Sequence, residues 1–207
     1  MNIIGINGKV GSGKTTIAEY IHKKYNYDIM SFADPLKDCV SAIFGWDREL
    51  LQGDTQISRS FRETKDDKWS KLMQSDITPR RMLQFFGTEC CRDKLGEDIW
   101  LNSLYCRIKS DNVVVSDMRF ENEFNFIKSH GGIVVKVVRD GENDNKINNL
   151  AILAKSGDEN ALSELKKLNI HQSEWDLCDK NFDYVIKNDG SLLDLYNKID
   201  LMIFGNL

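Results

Sequence analysis

A chain of 207 residues, 41% hydrophobic and 29% charged, has the length and composition of one globular domain with a substantial core. Its net charge of −4 argues against broad nucleic-acid binding, which needs a basic face, so an anionic ligand must be met by a local cluster of positive groups. No apolar run approaches a membrane span, and the chain enters an apolar strand without a basic and apolar leader, so neither a membrane segment nor a secretory signal is expected. Cys39, Cys90, Cys91, Cys106 and Cys178 are odd in number and contain no C-x-x-C pair, which suits reduced thiols in the cytoplasm better than disulfides or a metal site.

Asn2 to Asn7 is short and mostly apolar, as a buried parallel strand should be. Gly8-Lys9-Val10-Gly11-Ser12-Gly13-Lys14-Thr15 then fits the phosphate-binding pattern G-x-x-x-x-G-K-[ST] in full, and Thr16 to Lys24 follows with the helical apolar spacing Ile17, Tyr20, Ile21. Gly8, Gly11 and Gly13 let the backbone curl so that N–H groups face phosphate oxygens, and the helix N-terminus adds its positive dipole end. Lys14 supplies a point charge to the β- and γ-phosphates, and the Thr15 hydroxyl is offered to Mg²⁺. Gly8, Gly11, Ser12, Gly13, Lys14, Thr15 and Thr16 are therefore the expected ATP-binding residues. The competing explanation is a Gly-rich turn that merely precedes a helix.

Further on, Asp28 to Phe32 reads as a strand, and Pro35 opens a helix through about Phe44 with Gly45 as its stop. Asp47 to Leu51 suits one more helical turn. From Gly53 to Asp76 charged residues dominate with little periodicity, which reads as a polar loop or mobile flap. Thr78 and Pro79 start a helix as N-cap and first helical residue; it carries Met82, Leu83, Phe85 and Phe86 and ends near Gly87 or somewhat later. A helix is expected over about Asp98 to Lys109, then a buried strand from Val113 to Asp117, a helix from Asn122 to Ser129 stopped by Gly131-Gly132, and a strand from Ile133 to Val138. Residues 140–171 form a polar excursion, loop-like at Gly141-Glu142-Asn143-Asp144-Asn145 and helical from Glu159 to Leu168. Phe182 to Ile186 is the last strand and Ser191 to Ile203 the last helix. Strands and helices alternate, so the expected fold is α/β with a parallel sheet, read as one domain over 1–207 with insertions near 46–76 and 140–175.

A phosphate loop does not by itself distinguish a kinase from an ATPase, a GTPase or a motor domain. Asp117, at a strand end, suits a second carboxylate for Mg²⁺, although a plain strand-end polar residue would look the same. The next residue is Met118, where many ATP hydrolases carry a water-orienting Glu, which disfavours hydrolysis. Arg80, Arg81, Arg92, Arg119 and Arg139 recur at helix starts and strand ends, where forked guanidinium groups can neutralise a phosphoryl group in transfer. Any one of them alone would suit a surface salt bridge as well. The Thr78-Pro79 helix start aims free N–H groups and Arg80 in one direction, which suits an acceptor phosphate.

Several blocks occur together in one order: Ser31-Phe32-Ala33-Asp34-Pro35-Leu36-Lys37, Ile43-Phe44-Gly45-Trp46, and the stretch from Ile77-Thr78-Pro79-Arg80-Arg81 to Gly87-Thr88-Glu89. Asp98-Ile99-Trp100, Val115-Ser116-Asp117-Met118-Arg119-Phe120-Glu121-Asn122-Glu123, His171-Gln172-Ser173-Glu174 and Asn188-Asp189-Gly190-Ser191-Leu192 follow. In these the chain resembles, over nearly its whole length, the deoxynucleoside monophosphate kinases of bacteriophages and large DNA viruses. The resemblance implies a P-loop NTPase three-layer sandwich with a five-stranded parallel sheet, plus acceptor-binding and lid insertions. It implies transfer of the ATP γ-phosphoryl group to a deoxynucleoside 5′-monophosphate with Mg²⁺, in the cytoplasm (that of the host for a viral protein), with no nucleic acid polymer and no membrane as partner. A homodimer is left open.

By the same likeness Lys14, Arg80, Arg119 and Arg139 are catalytic, Thr15 and Asp117 hold the metal, and Asp34, Lys37, Arg80, Gln84, Glu89 and Arg92 bind the acceptor. The excursion over 140–175 corresponds to the lid; its long, Asn-rich stretch between Arg139 and His171 departs from the family pattern. His171 and Glu174 match the motif without an assigned step, and His171 suits a structural hydrogen-bonding role equally well. Trp100, Phe85 and Phe86 suit base stacking or core packing. The competing functions are a P-loop kinase for another small phosphorylated metabolite, such as dephospho-coenzyme A or phosphomevalonate, and a nucleotide-binding regulator without turnover. The Thr-Pro-Arg to Gly-Thr-Glu block disfavours the first, and intact Lys14, Thr15 and Asp117 disfavour the second.

Overall fold

A computed structural model describes residues 1–139, 145–168 and 170–205. Along the chain run β1 (Asn2–Gly8), α1 (Lys14–Tyr25), β2 (Asp28–Met30), α2 (Asp34–Phe44), α3 (Gln56–Glu63), α4 (Asp67–Met73) and α5 (Pro79–Phe85). After α5 come a π-helical stretch (Phe86–Arg92), α6 (Asp93–Leu95), α7 (Ile99–Arg107), β3 (Asn112–Val115), α8 (Glu121–Ser129) and β4 (Ile133–Val138). The last elements are α9 (Asn145–Lys155), α10 (Glu159–Lys167), β5 (Tyr184–Lys187) and α11 (Leu192–Phe204). The chain divides into two compact units, Met1–Met30 with Lys109–Leu207, and Ser31–Ile108.

The first unit is built on a five-stranded sheet in the order β2-β3-β1-β4-β5, and every pairing is parallel. β1 lies at its centre, with Ile4 opposite Val114 of β3 and Ile133 of β4. Because side chains alternate across a strand, Ile4 and Ile6 of β1 point to one face, where they join Ile17 and Ile21 of α1 and Leu195 and Ile199 of α11 in one buried cluster. The opposite face carries α8: a Cβ on Gly5 would run into Ile127 and lie 3.0 Å from the Met118 sulfur. Helix, sheet and helix make the expected three layers.

β4 has the expected bounds. β2 ends at Met30 instead of Phe32 because the chain turns at Ser31, whose hydroxyl accepts the Ala33 N–H at 3.1 Å. β3 likewise ends at Val115, so Asp117 lies just past the strand instead of on it. The loop-like stretch expected at 141–145 falls outside the described residues up to 144, and Asn145 already belongs to α9. That helix was not anticipated. Asn-rich sequence has weak helix propensity, yet Ile147, Leu150, Ala151 and Ala154 keep helical spacing and Ala151 is fully buried. α10 was expected; the Asp158 carboxylate caps it, accepting the N–H groups of Asn160 and Ala161 at 2.9 and 3.1 Å.

In the second unit α2 stops at Gly45, whose φ of 69° is the left-handed conformation that favours glycine. Val40, Phe44, Trp46, Leu51, Ile77, Met82 and Leu83 form its core, with Phe44 and Trp46 stacked at 4.3 Å. The segment expected as a polar loop or flap is helical in α3 and α4. Caps, not apolar periodicity, start both helices: Thr55 accepts the Ser58 N–H at 3.1 Å and Asp66 accepts the Trp69 N–H at 2.9 Å. Asp66 also accepts the Trp46 indole N–H at 2.8 Å, and Trp69 donates to the Phe44 carbonyl at 2.9 Å, so a few aromatic anchors replace an apolar stripe. The bonds from Trp69 and Trp46 hold the Asp66 carboxyl below its ordinary range. α5 begins as expected, with Thr78 accepting the Arg81 N–H at 3.2 Å. It does not stop at Gly87: the helix continues in π form and as α6 to Leu95. Gly87 is a point of close approach, since a Cβ there would lie 3.0 Å from Leu36, and its carbonyl accepts the buried Trp100 indole N–H at 2.9 Å.

Candidate active site

The turn from β1 into α1 follows from its glycines. Gly11 and Gly13 adopt φ of 80° and 106°, which side chains disfavour, and Gly13 N-caps α1, its carbonyl accepting the Ile17 N–H at 3.0 Å. Within the curl the Ser12 N–H donates to the Lys9 carbonyl at 3.2 Å. Lys14 folds across the loop, donating to the carbonyls of Gly8 at 2.7 Å and Lys9 at 2.6 Å. The Ser12 side chain is buried and its Oγ has no hydrogen-bond partner among the described residues. The Thr15 side chain is exposed and Thr16 half-buried.

Parallel pairing decides what meets this loop. Gly5 of β1 pairs with Val115 of β3 and Gly8 with Val137 of β4, so Asp117, Arg119 and Arg139 leave the sheet at the same C-terminal edge as the phosphate loop. Ligands of open parallel sheets bind at that edge. The Asn7 side-chain amide donates to the Met118 carbonyl at 2.9 Å and ties the loop's entry to the Asp117–Arg119 turn. Arg139 donates to the Gly11 carbonyl at 3.2 Å. Asp117 and Arg119 are half-buried. The backbone N–H groups of Arg119 and Phe120 are taken by the buried Glu123 carboxylate, which no expected role had included. Its signal in the sequence was the position three residues into a helix start, where a Glu reaches back to the first N–H groups.

His171 Nδ1 accepts the Ser173 N–H at 3.2 Å, which requires that nitrogen to be unprotonated. Desolvation lowers the His171 pKa first of all; the Glu174 carboxylate opposes this and the Arg119 charge adds to it. This geometry fits the structural reading of His171.

Of the residues expected to bind the acceptor, Asp34 and Lys37 lie together on α2, 3.6 Å apart. Lys37 also donates to the Gln52 side chain at 2.5 Å. Arg80 forms an ion pair with Glu63 of α3. Gln84 follows Arg80 one turn on and is exposed. Glu89 and Arg92 lie on the π-helical stretch, where Arg92 donates to the Glu97 carbonyl at 3.2 Å. Arg48 was missed by the sequence reading. It bridges Asp34 at 2.9 Å and Asp38 at 2.5 Å, and its buried Nη1 has no hydrogen-bond partner among the described residues. Among the described residues no helix is long and apolar enough to cross a membrane. All five cysteines are free thiols.

A family model described as deoxynucleotide monophosphate kinase matches residues 49–160. A putative deoxynucleotide monophosphate kinase of Acanthamoeba polyphaga mimivirus is 31% identical over 96% of this chain and 94% of its own length. The deoxynucleoside-5′-monophosphate kinase of Escherichia phage T5 is 28% identical over 58% of this chain and 69% of its own. Among solved structures, shikimate kinase from Aquifex aeolicus aligns over 100% of this chain and 98% of its own, at 18% identity and a TM-score of 0.45. Family match and full-length viral relative agree: this chain belongs to the deoxynucleotide monophosphate kinase family.

Proposed function

We propose that this chain transfers the γ-phosphoryl group of ATP to a deoxynucleoside 5′-monophosphate and releases ADP and the deoxynucleoside diphosphate used for DNA precursor synthesis. The observation that carries the reading is the glycine-turned loop with Lys14 folded over it, at the sheet edge where Asp117, Arg119 and Arg139 also emerge. Gly8, Gly11, Ser12, Gly13, Lys14, Thr15 and Thr16 bind the donor phosphates through backbone N–H groups and the Lys14 charge. Arg119 and Arg139 neutralise charge on the phosphoryl group as it moves, and Lys14 follows it from donor to acceptor. Asp34, Lys37, Arg80, Gln84, Glu89 and Arg92 hold the acceptor, with Arg80 on its phosphate. The two compact units act as one kinase domain, in which the 46–76 insertion serves the acceptor and the 140–175 excursion serves as lid.

An exposed hydroxyl on Thr15 and a half-buried carboxylate on Asp117 are hard oxygen donors at one sheet edge, a set that fits Mg²⁺. Bound with ATP, Mg²⁺ supplies positive charge to the phosphate oxygens. The chain works in the cytoplasm on ATP and a mononucleotide, without a nucleic acid polymer or a membrane.

A coupled ADP-release assay with ATP and Mg²⁺, run against all deoxy- and ribonucleoside monophosphates, tests the proposal. ADP release should depend on at least one deoxynucleoside monophosphate. Release without any acceptor, or only with a different phosphorylated metabolite, would overturn it.

A further inference from the structure

The turn after β5, Asn188-Asp189-Gly190-Ser191, is one of the blocks that carry the family likeness but has no role in the reading above, yet it touches the phosphate loop. The Asn188 backbone N–H donates to the Val138 carbonyl at 2.8 Å and extends the β4–β5 ladder by one bond. Its side-chain Nδ2 donates to the Ser12 carbonyl at 2.8 Å. The approach is tight: a Cβ on Gly13 would lie 2.5 Å from that same nitrogen. Behind Asn188 the turn is held from both sides. Asp189 pairs with Lys198 at 2.8 Å, and Ser191 caps α11 by accepting the Asp194 N–H at 3.2 Å.

In a trans peptide the C=O and N–H point in opposite directions. The bond to Asn188 therefore fixes the plane of the Ser12–Gly13 peptide. With the Ser12 oxygen held outward on Asn188, the Gly13 N–H is turned to the inner side of the loop. The preceding carbonyl, Gly11, accepts from Arg139 at 3.2 Å, and the N–H of that peptide, on Ser12, donates to the Lys9 carbonyl at 3.2 Å. Two successive peptides of the loop are thus oriented by residues that leave the ends of β4 and β5. Such pre-orientation removes a reorganisation that the loop would otherwise undergo when phosphate enters.

We infer that Asn188 is a positioning residue for the donor phosphates, acting by holding the Ser12–Gly13 peptide with its N–H aimed at them, not by contacting the nucleoside. The inference rests on the phosphate-loop reading under Proposed function.

Inorganic tripolyphosphate is the discriminating probe, because it carries the phosphates of the donor and no base or sugar. Isothermal titration of the full chain with tripolyphosphate and with ATP is run on wild type, Asn188→Ala and Asn188→Asp. The aspartate has the size of asparagine but no donor for the Ser12 carbonyl, so it keeps the test open if the alanine variant folds poorly. For Asn188→Ala we expect both affinities to fall by the same factor, about tenfold for one lost orienting hydrogen bond. Asn188→Asp should lose more, since its carboxylate also repels the ligand. The KM of the monophosphate acceptor should not change. A variant that binds tripolyphosphate as wild type does, whether or not ATP weakens, would overturn the inference. The underlying phosphate-loop reading fails separately if Lys14→Ala leaves tripolyphosphate affinity at the wild-type value.

Discussion

The Glu123 carboxylate accepts the backbone N–H of Arg119 at 2.7 Å and that of Phe120 at 3.1 Å, and so closes the turn that carries Asp117 and Arg119 off the end of β3. Glu123 is 3% exposed, so these bonds form out of water and an unpaired group there is costly. Around the same helix start, Asp176 accepts the Glu121 N–H at 2.8 Å, and the Glu121 carboxylate takes Lys155 at 3.0 Å and Lys180 at 2.5 Å. The first turn of α8 is therefore held by carboxylates, as its dipole favours, and by the last residue of α9.

Glu123→Ala removes the single oxygen, Oε2, that accepts both N–H groups and should lower stability by about 2–4 kcal/mol, two hydrogen bonds to a charged group. Urea unfolding checks this. Turnover should fall as well, because Asp117 and Arg119 lose their common anchor, and Glu123→Gln, which keeps an acceptor oxygen, should recover part of both losses. An alanine variant as stable and active as wild type would show that the turn holds its shape without the carboxylate.

Lys155 donates to Glu121 at 3.0 Å, to Asp179 at 2.6 Å and to the Asp176 carbonyl at 2.7 Å. Lys155→Met should cost about 1 kcal/mol, since its carboxylate partners are partly exposed and screened. The pH dependence carries the sharper signature. Bonds from Lys180 and Lys155 hold the Glu121 carboxyl below its ordinary range, and Lys155 holds Asp179 down against the opposing effect of desolvation. A depressed carboxylate contributes stability above its unfolded-state pKa, near 4, that is lost as pH falls through the lower folded value. Thermal melts from pH 6 to pH 3 should fall less steeply in Lys155→Met than in wild type.

Lys14→Ala should lower kcat by about 10²-fold or more, the loss of a preorganised charge on the moving phosphoryl group. Steady-state kinetics at saturating ATP and acceptor measure it, and near-normal turnover would sink the phosphate-loop assignment.

Arg80 pairs with Glu63 with both side chains about half exposed, so the pair should contribute less than about 1 kcal/mol to stability. Arg80→Ala should instead raise the acceptor KM and leave ATP binding intact. Titration calorimetry with each ligand separates the two, and loss of ATP binding with the acceptor unaffected would reverse the assignment.

His171 is held below its ordinary pKa by desolvation and, less, by the Arg119 charge, against Glu174. A histidine with a depressed folded pKa contributes stability above its unfolded pKa, near 6.5, and loses it as pH falls below that value. Urea midpoints of wild type should drop between pH 7 and pH 5.5 more than those of His171→Gln, which cannot titrate. Parallel slopes would mean that the ring is not protonation-linked to folding.

Much of the first unit is legible in the sequence because its signals are local. Glycine spacing marks the phosphate loop, and runs of β-branched residues mark β3 and β4; in the second unit Thr78-Pro79 and Gly45 mark a helix start and a helix stop in the same local way. α3 and α4 escaped because capping hydroxyls and carboxylates at Thr55 and Asp66 start them, while the apolar stripe that periodicity detects is reduced to Phe61 and Trp69. α9 escaped because its asparagines obscured a helical apolar spacing.

The candidate site divides along the same line. Residue type and spacing along the chain suffice to nominate Lys14 and Thr15, since a loop that curls around phosphate must carry its chemistry within a few residues, and Asp117 is nominated by its place at the end of an apolar strand. Arg139 on Gly11, Asn188 on Ser12 and Lys155 on Glu121 are separated by 128, 176 and 34 positions, and no local pattern links them. Parallel strand order brings the first two to one sheet edge, and the return of α9 onto α8 brings the third. A hydrogen bond needs its partners within about 3 Å, and over such separations only the folded chain supplies that proximity.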